Sequence, residues 1–114
     1  MKNQLKIYVD IDETICYYEG ERDYSKALPI IKNIERVNKL YDDGHEITYW
    51  TARGTVTKIN WMKTTLDQLK RWGAKYHCVK MGKPAYDLFI DDKAINNFSQ
   101  LDEYMNNTVK DLTS

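Results

Sequence analysis

Short apolar runs that stop abruptly at a polar side chain are the strongest constraint on how this chain folds. Residues 5–9 stop at Asp10, residues 46–50 stop at Thr51, and residues 88–90 stop at Asp91 and Asp92. Runs of this length, set between turn-forming residues, read as strands. The first is nearly continuous in apolar character and is expected to be fully buried. Asp12 lies one residue beyond Asp10, and Thr14 follows. Two carboxylates held that close repel, so one is driven toward protonation unless a cation sits between them. Such a pair at a strand end points to a metal, an acid/base couple or both. The plain structural alternative is an acidic turn after an edge strand.

Between the strands the period changes from two to about three and a half. Pro29 opens a helical pattern with Ile30, Ile34, Val37 and Tyr41 on one face and Gly44 as its stop. A second helix is expected to carry Ile59, Met62, Leu66 and Leu69 on one face and to stop at Gly73. A short strand is expected over residues 76–79, and Ser99 with Asp102 resembles a capping pair for a last short helix. Residues 17–25 are polar and without period. This alternation predicts an α/β fold, a three-layer doubly wound (Rossmann-like) parallel sheet with helices on both faces. Right-handed crossovers would gather the C-terminal strand ends on one edge, where such sheets bind ligands. Asp10, Thr51 and Asp91 would then converge there.

Composition narrows the function classes. With 114 residues the chain is expected to be a single domain. Seventeen basic and seventeen acidic residues cancel, so the basic footprint of a nucleic-acid binder is missing. No run approaches the length of a membrane span, and the N-terminus does not read as a signal sequence. Cys16 and Cys78 lack the spacing of a disulfide framework or a zinc site and are read as reduced thiols of a cytoplasmic protein. His45 and His77 are isolated and read as turn or strand residues. Cys16 and Arg22 satisfy the C-x5-R spacing of cysteine-dependent phosphatases. Glu19 and Glu21 inside that loop would oppose a phosphate dianion, so the match is read as coincidence.

A site with these side chains suits a phosphate ester and Mg2+. Asp10 and Asp91 could hold the cation, while Lys83 and Thr51 meet the phosphoryl oxygens. One of the first two aspartates could attack phosphorus while the other moves protons. Arg53, two residues after Thr51, could reach the substrate's phosphate, carboxylate or sugar oxygens. Its plain alternative is a surface arginine paired with a helix carboxylate.

The order of these residues resembles the haloacid dehalogenase-like (HAD) phosphohydrolases. Their D-x-D-x-[TV] motif corresponds to Asp10-Ile11-Asp12-Glu13-Thr14, and their strand-closing Ser or Thr corresponds to Thr51. Their lysine corresponds to Lys83, and their closing acidic residues to Asp91-Asp92. The resemblance implies that Asp10 is a nucleophile forming an aspartyl-phosphate and that Asp12 is the general acid/base. It implies Mg2+ held by Asp10, the carbonyl of Asp12 and Asp91, with Asp92 nearby, and phosphoryl contacts from Thr51 and Lys83. Two features depart from the common pattern. Glu13 stands where small-molecule members often have glycine, as it does in members acting on phosphoproteins. The gaps after the first and second motifs are too short for a cap domain, so a capless member is expected, open unless residues 17–25 or a neighbouring subunit cover it. The expected activity is a Mg2+-dependent phosphatase acting on a small phosphorylated metabolite, a sugar phosphate or nucleotide. A phosphorylated macromolecule is the alternative substrate. A non-catalytic receiver-like phosphoacceptor is the other reading, although receiver domains place the acidic pair first and the lysine last.

Overall fold

The computed structural model describes residues 4–113. In chain order it contains β1 (Lys6–Val9), β2 (Cys16–Tyr17), β3 (Leu28–Pro29), α1 (Ile31–Asp42), β4 (Glu46–Trp50), α2 (Met62–Arg71), β5 (Cys78–Lys80) and α3 (Phe98–Thr113). β1, β4 and β5 form a parallel sheet in the order β1-β4-β5, with Val9 level with Tyr49 and Trp50 level with Lys80. The strands therefore finish together, and Asp10 and Thr51 leave the sheet at the same edge. No described helix is long and apolar enough to cross a membrane.

The helix α1 forms where the period requires it. Ile34, Val37 and Leu40 are buried against the sheet, and Gly44, at φ +100°, turns the chain out of the helix. Residues Ile47 and Tyr49 of β4 are fully buried, as suits the central strand. His45 and His77 each precede a strand and do structural work there. The Nδ1 of His45 accepts from the Leu5 N–H, and that of His77 from the Ile47 N–H, each at 3.0 Å. Asn38 of α1 donates to the Gly73 carbonyl at 2.9 Å, so α1 lies beside the end of α2. Arg36 of α1 pairs with Asp102 of α3 at 2.9 Å and covers the Phe98 ring.

Several expectations are corrected. Residues 88–90 join no ladder, and Leu88 and Ile90 are 76% and 89% exposed. The first strand is accordingly an edge strand rather than a buried one: Lys6 and Tyr8 face solvent and Val9 alone is buried. The buried face of α2 is Thr65, Gln68 and Leu69, while Leu66 is 38% exposed and Ile59 precedes the helix. The polar pair goes inward because a buried arginine waits there. The last helix is long, not short, and its N-terminus is capped by Asn97, whose side chain accepts from Gln100 N–H at 2.8 Å. The aperiodic stretch after the first motif folds into a small hairpin, Cys16 pairing with Pro29 and Tyr17 with Leu28.

Candidate functional site

The loop after β1 winds tightly on itself. The Ile15 N–H bonds back to the Ile11 carbonyl at 2.9 Å, and the Glu13 N–H to the Cys16 carbonyl at 3.0 Å. Glu13 has φ +64°, a left-handed backbone that favours glycine, which gives a physical reason for glycine at this place in other chains. Its carboxylate meets Arg22 at the surface, at 3.0 Å. Ile11 and Ile15 are fully buried and anchor the loop, leaving Asp10 and Asp12 on its polar side.

Three chain segments meet at this edge. The Thr51 N–H donates to the Lys80 carbonyl, and the Lys83 N–H donates to the Thr51 carbonyl, both at 3.0 Å. The Thr55 hydroxyl donates to the Lys83 carbonyl at 2.8 Å. With its backbone clamped in this way, Lys83 reaches Asp10 at 3.5 Å between Trp50 and Tyr86. Thr51 is buried and its Oγ1 accepts from the Arg53 N–H at 3.1 Å, so the hydroxyl keeps its own proton to give.

Arg53 is 2% exposed, which excludes the surface-arginine alternative. Its guanidinium grips Asp12 from Nε at 3.2 Å and Nη2 at 2.9 Å. Nη1 donates to Thr65 Oγ1 at 3.1 Å and Gln68 Oε1 at 2.6 Å, and the Tyr24 ring lies beneath the guanidinium. The Tyr18 hydroxyl also donates to Asp12. Arg53 thus orients a carboxylate instead of presenting its donors to a substrate oxygen. Sequence reasoning missed Tyr18, Thr65 and Gln68 as members of this network. The only signal for Thr65 and Gln68 was an i, i+3 polar pair on the helix after the arginine, indistinguishable there from a solvated face; nothing in the sequence singled out Tyr18.

The two aspartates are pushed in opposite directions. Burial raises the Asp10 carboxyl above its ordinary value, only partly offset by Lys83. Burial would raise Asp12 too, yet the bonds from Arg53 and Tyr18 and the charge of Arg53 outweigh it and leave Asp12 lowered. Cys16 is buried beside them, its thiol pushed up to about 12 by desolvation and by the negative charge of Asp12. Such a thiol is a poor nucleophile, and Arg22 is engaged at the surface, so C-x5-R is a coincidence of spacing.

Asp91 and Asp92 do not arrive. Both are exposed, and Asp91 accepts from the Lys93 N–H at 2.9 Å in a local turn. With no ladder formed by residues 88–90, nothing carries these carboxylates to Asp10. Among the described residues no group of three or more His, Cys, Asp or Glu side chains could hold a metal ion. One chain as folded here does not assemble the ligand set that the resemblance implies.

Beside the clamp a groove of about 410 Å³ is lined by Gly54, Lys58, Asn60, Trp61, Met81 and Gly82. Gly54 is required there: at φ +80° its Cβ would lie 2.1 Å from the Ile59 carbonyl oxygen. No family model matches the chain, and no curated protein matches it. It is similar to the crystal structure of an MCSG target from Vibrio cholerae, with 27% identity and a TM-score of 0.75. That match covers 84% of this chain and 86% of the other, and it fits an α/β fold.

Proposed function

We propose that this protein is a capless HAD-like phosphatase that hydrolyses phosphate monoesters through an aspartyl-phosphate at Asp10. The reading extends to the fold, whose parallel sheet would be the doubly wound, three-layer sheet of that family once a further strand joins β1. The observation that carries it is the clamp at the sheet edge. Asp10, Thr51 and Lys83 come from three distant segments, and Lys83 stands 3.5 Å from Asp10. A carboxylate, a buried hydroxyl with a proton to donate and a lysine are the groups needed to attack phosphorus and neutralise its oxygens.

In the first step an Asp10 oxygen forms a bond to phosphorus as the ester P–O bond breaks, and the leaving oxygen takes a proton from Asp12. In the second, Asp12 takes a proton from water, which attacks phosphorus and releases Asp10 and inorganic phosphate. Arg53 and Tyr18 hold Asp12 in its ionised form, which suits the second step better than the first. Esters whose leaving group needs no proton, such as aryl phosphates, should therefore be turned over fastest. Mg2+ belongs to the proposal as the ion that would lower the charge at Asp10 when bound. The groove lined by Lys58, Asn60 and Trp61 offers a cation, an amide and an indole to the leaving group, which favours a small polar metabolite such as a sugar phosphate or nucleotide.

The test is a screen of phosphorylated metabolites and aryl phosphates for Mg2+-dependent phosphate release. Turnover that vanishes in Asp10→Asn supports the reading. Stable phosphorylation of Asp10 without turnover would favour a phosphoacceptor module instead.

A further inference from the structure

Residues 84–97 leave the body of the protein as an arm. Its base is fixed where Lys83 bonds Thr51, and its far end is fixed where Phe98 and Leu101 pack against the core. Between these points the chain forms no ladder. Leu88, Phe89 and Ile90 lie exposed in sequence, and Tyr86 and Ile95 add two more exposed apolar side chains. A second unsatisfied feature faces solvent elsewhere: among the described residues β1 pairs with β4 alone, and Tyr8 is 53% exposed. An apolar strand without a sheet and a sheet edge without a strand are complementary surfaces on one molecule.

We infer that two copies of this chain exchange their arms, residues 87–91 of each pairing in parallel with β1 of the other. Chemistry along the two segments sets the register. Levelling Asp91 with Asp10 places Ile90 beside Val9, Phe89 beside Tyr8 and Leu88 beside Ile7. The same register sets exposed Asp87 beside exposed Lys6, opposite charges at the entrance of the new ladder. Two-fold repetition closes the assembly, since each edge is filled and each arm is covered. Each arm carries Leu88, Phe89 and Ile90 into the new ladder, so the two-fold assembly covers six exposed apolar side chains together with both free edges.

The exchange deepens the phosphatase reading and, in its effect on the site, rests on it. Asp91 and Asp92 of the second copy would reach Asp10, so the acidic set that one chain leaves scattered is completed across the interface. Each site would draw Asp10, Thr51 and Lys83 from one chain and its last carboxylates from the other.

The experiment has a physical arm and a catalytic arm. Sedimentation of the full chain should give the mass of two chains, and Leu88→Asp with Ile90→Asp should give one chain with unchanged far-ultraviolet circular dichroism. In a Cys78→Ser background, Tyr8→Cys chains mixed and refolded with tagged Phe89→Cys chains should form a tagged–untagged disulfide. A monomeric wild type, or a disulfide formed only within a chain carrying both cysteines, overturns the exchange. In the catalytic arm, inactive Asp10→Asn chains are refolded with inactive chains carrying Asp91→Asn and Asp92→Asn. Activity should return to at most about one quarter of wild type, because half the dimers are mixed and each holds one intact site. No return of activity in a mixture that cross-links overturns completion of the site across the interface. A cross-linked dimer that turns over no phosphate ester leaves the exchange standing and removes the phosphatase reading; an active monomer does the reverse.

Discussion

Asp12 and Asp91 both come after an apolar run, and the fold treats them in opposite ways. Asp12 is held by two nitrogens of a buried arginine and by a tyrosine hydroxyl, in a loop pinned by Ile11 and Ile15. Asp91 touches only its own turn and stands in water. The difference lies upstream of each carboxylate. Residues 6–9 are locked into a ladder with β4, so Asp10 and the loop after it emerge at a fixed point. Residues 88–90 have no ladder in one chain, so the position of Asp91 and Asp92 is left to a partner strand. A side chain becomes a functional group only when the backbone delivering it is itself held.

The largest effect should come from the delivered side of this comparison. Asp10→Asn should lower kcat for an aryl phosphate by on the order of 10⁴-fold, as loss of a covalent nucleophile does, with circular dichroism unchanged. Retained turnover would remove Asp10 from the reaction. Chelation of divalent cations should likewise stop phosphate release and Mg2+ should restore it; a rate indifferent to chelator would end the metal requirement.

Next in size is the buried pair. Arg53→Met leaves Asp12 without its partner and should cost about 3–5 kcal/mol in urea unfolding. The exposed pair nearby supplies the contrast: Arg22→Ala, which frees Glu13 at the surface, should cost no more than about 1 kcal/mol. Equal costs would mean that Asp12 is less enclosed than the geometry implies.

The smallest effect is expected in the core of β4. Among the described residues, the Tyr49 hydroxyl is a buried polar group with no hydrogen-bond partner, and burial raises its pKa. Tyr49→Phe should therefore be neutral or stabilising by about 1 kcal/mol. Above pH ~10 the unfolded chain gives up this phenolic proton while the fold retains it. The unfolded state then binds fewer protons, so wild-type stability falls as pH rises. The variant should show a shallower decline over that range, measured as the difference between the two unfolding curves. Identical slopes would show that the hydroxyl finds a partner in solution.

Much of the delivered region was legible from residues alone. The α1 face of Ile34 and Val37, its stop at Gly44, and β4 ending at Thr51 come from periodicity and turn chemistry, which act over a few neighbouring residues. Parallel topology, which sends strand ends to one edge, foretold the meeting of Asp10 and Thr51; it also sent Asp91 there, which one chain does not deliver. Arg53 was not legible in the same way. Whether an arginine after a strand meets solvent, substrate or a carboxylate depends on which helix face turns toward it, and Thr65 and Gln68 look like surface residues in isolation. The error over Leu66 has the same origin: α2 buries its polar pair to accept the two Nη1 donors of the guanidinium, against the preference of its apolar residues.

By itself the sequence determined the α/β alternation, the buried face of α1 with its stop at Gly44, and the chemical types gathered at the sheet edge. These depend on local period and on side-chain chemistry. Only the tertiary structure decided that Arg53 belongs to Asp12, that β1 is an edge, and that residues 88–90 stand apart. Each of those is a choice of partner between distant segments. A strand pattern says that a segment can pair; which strand it pairs with is decided by competition among edges in space.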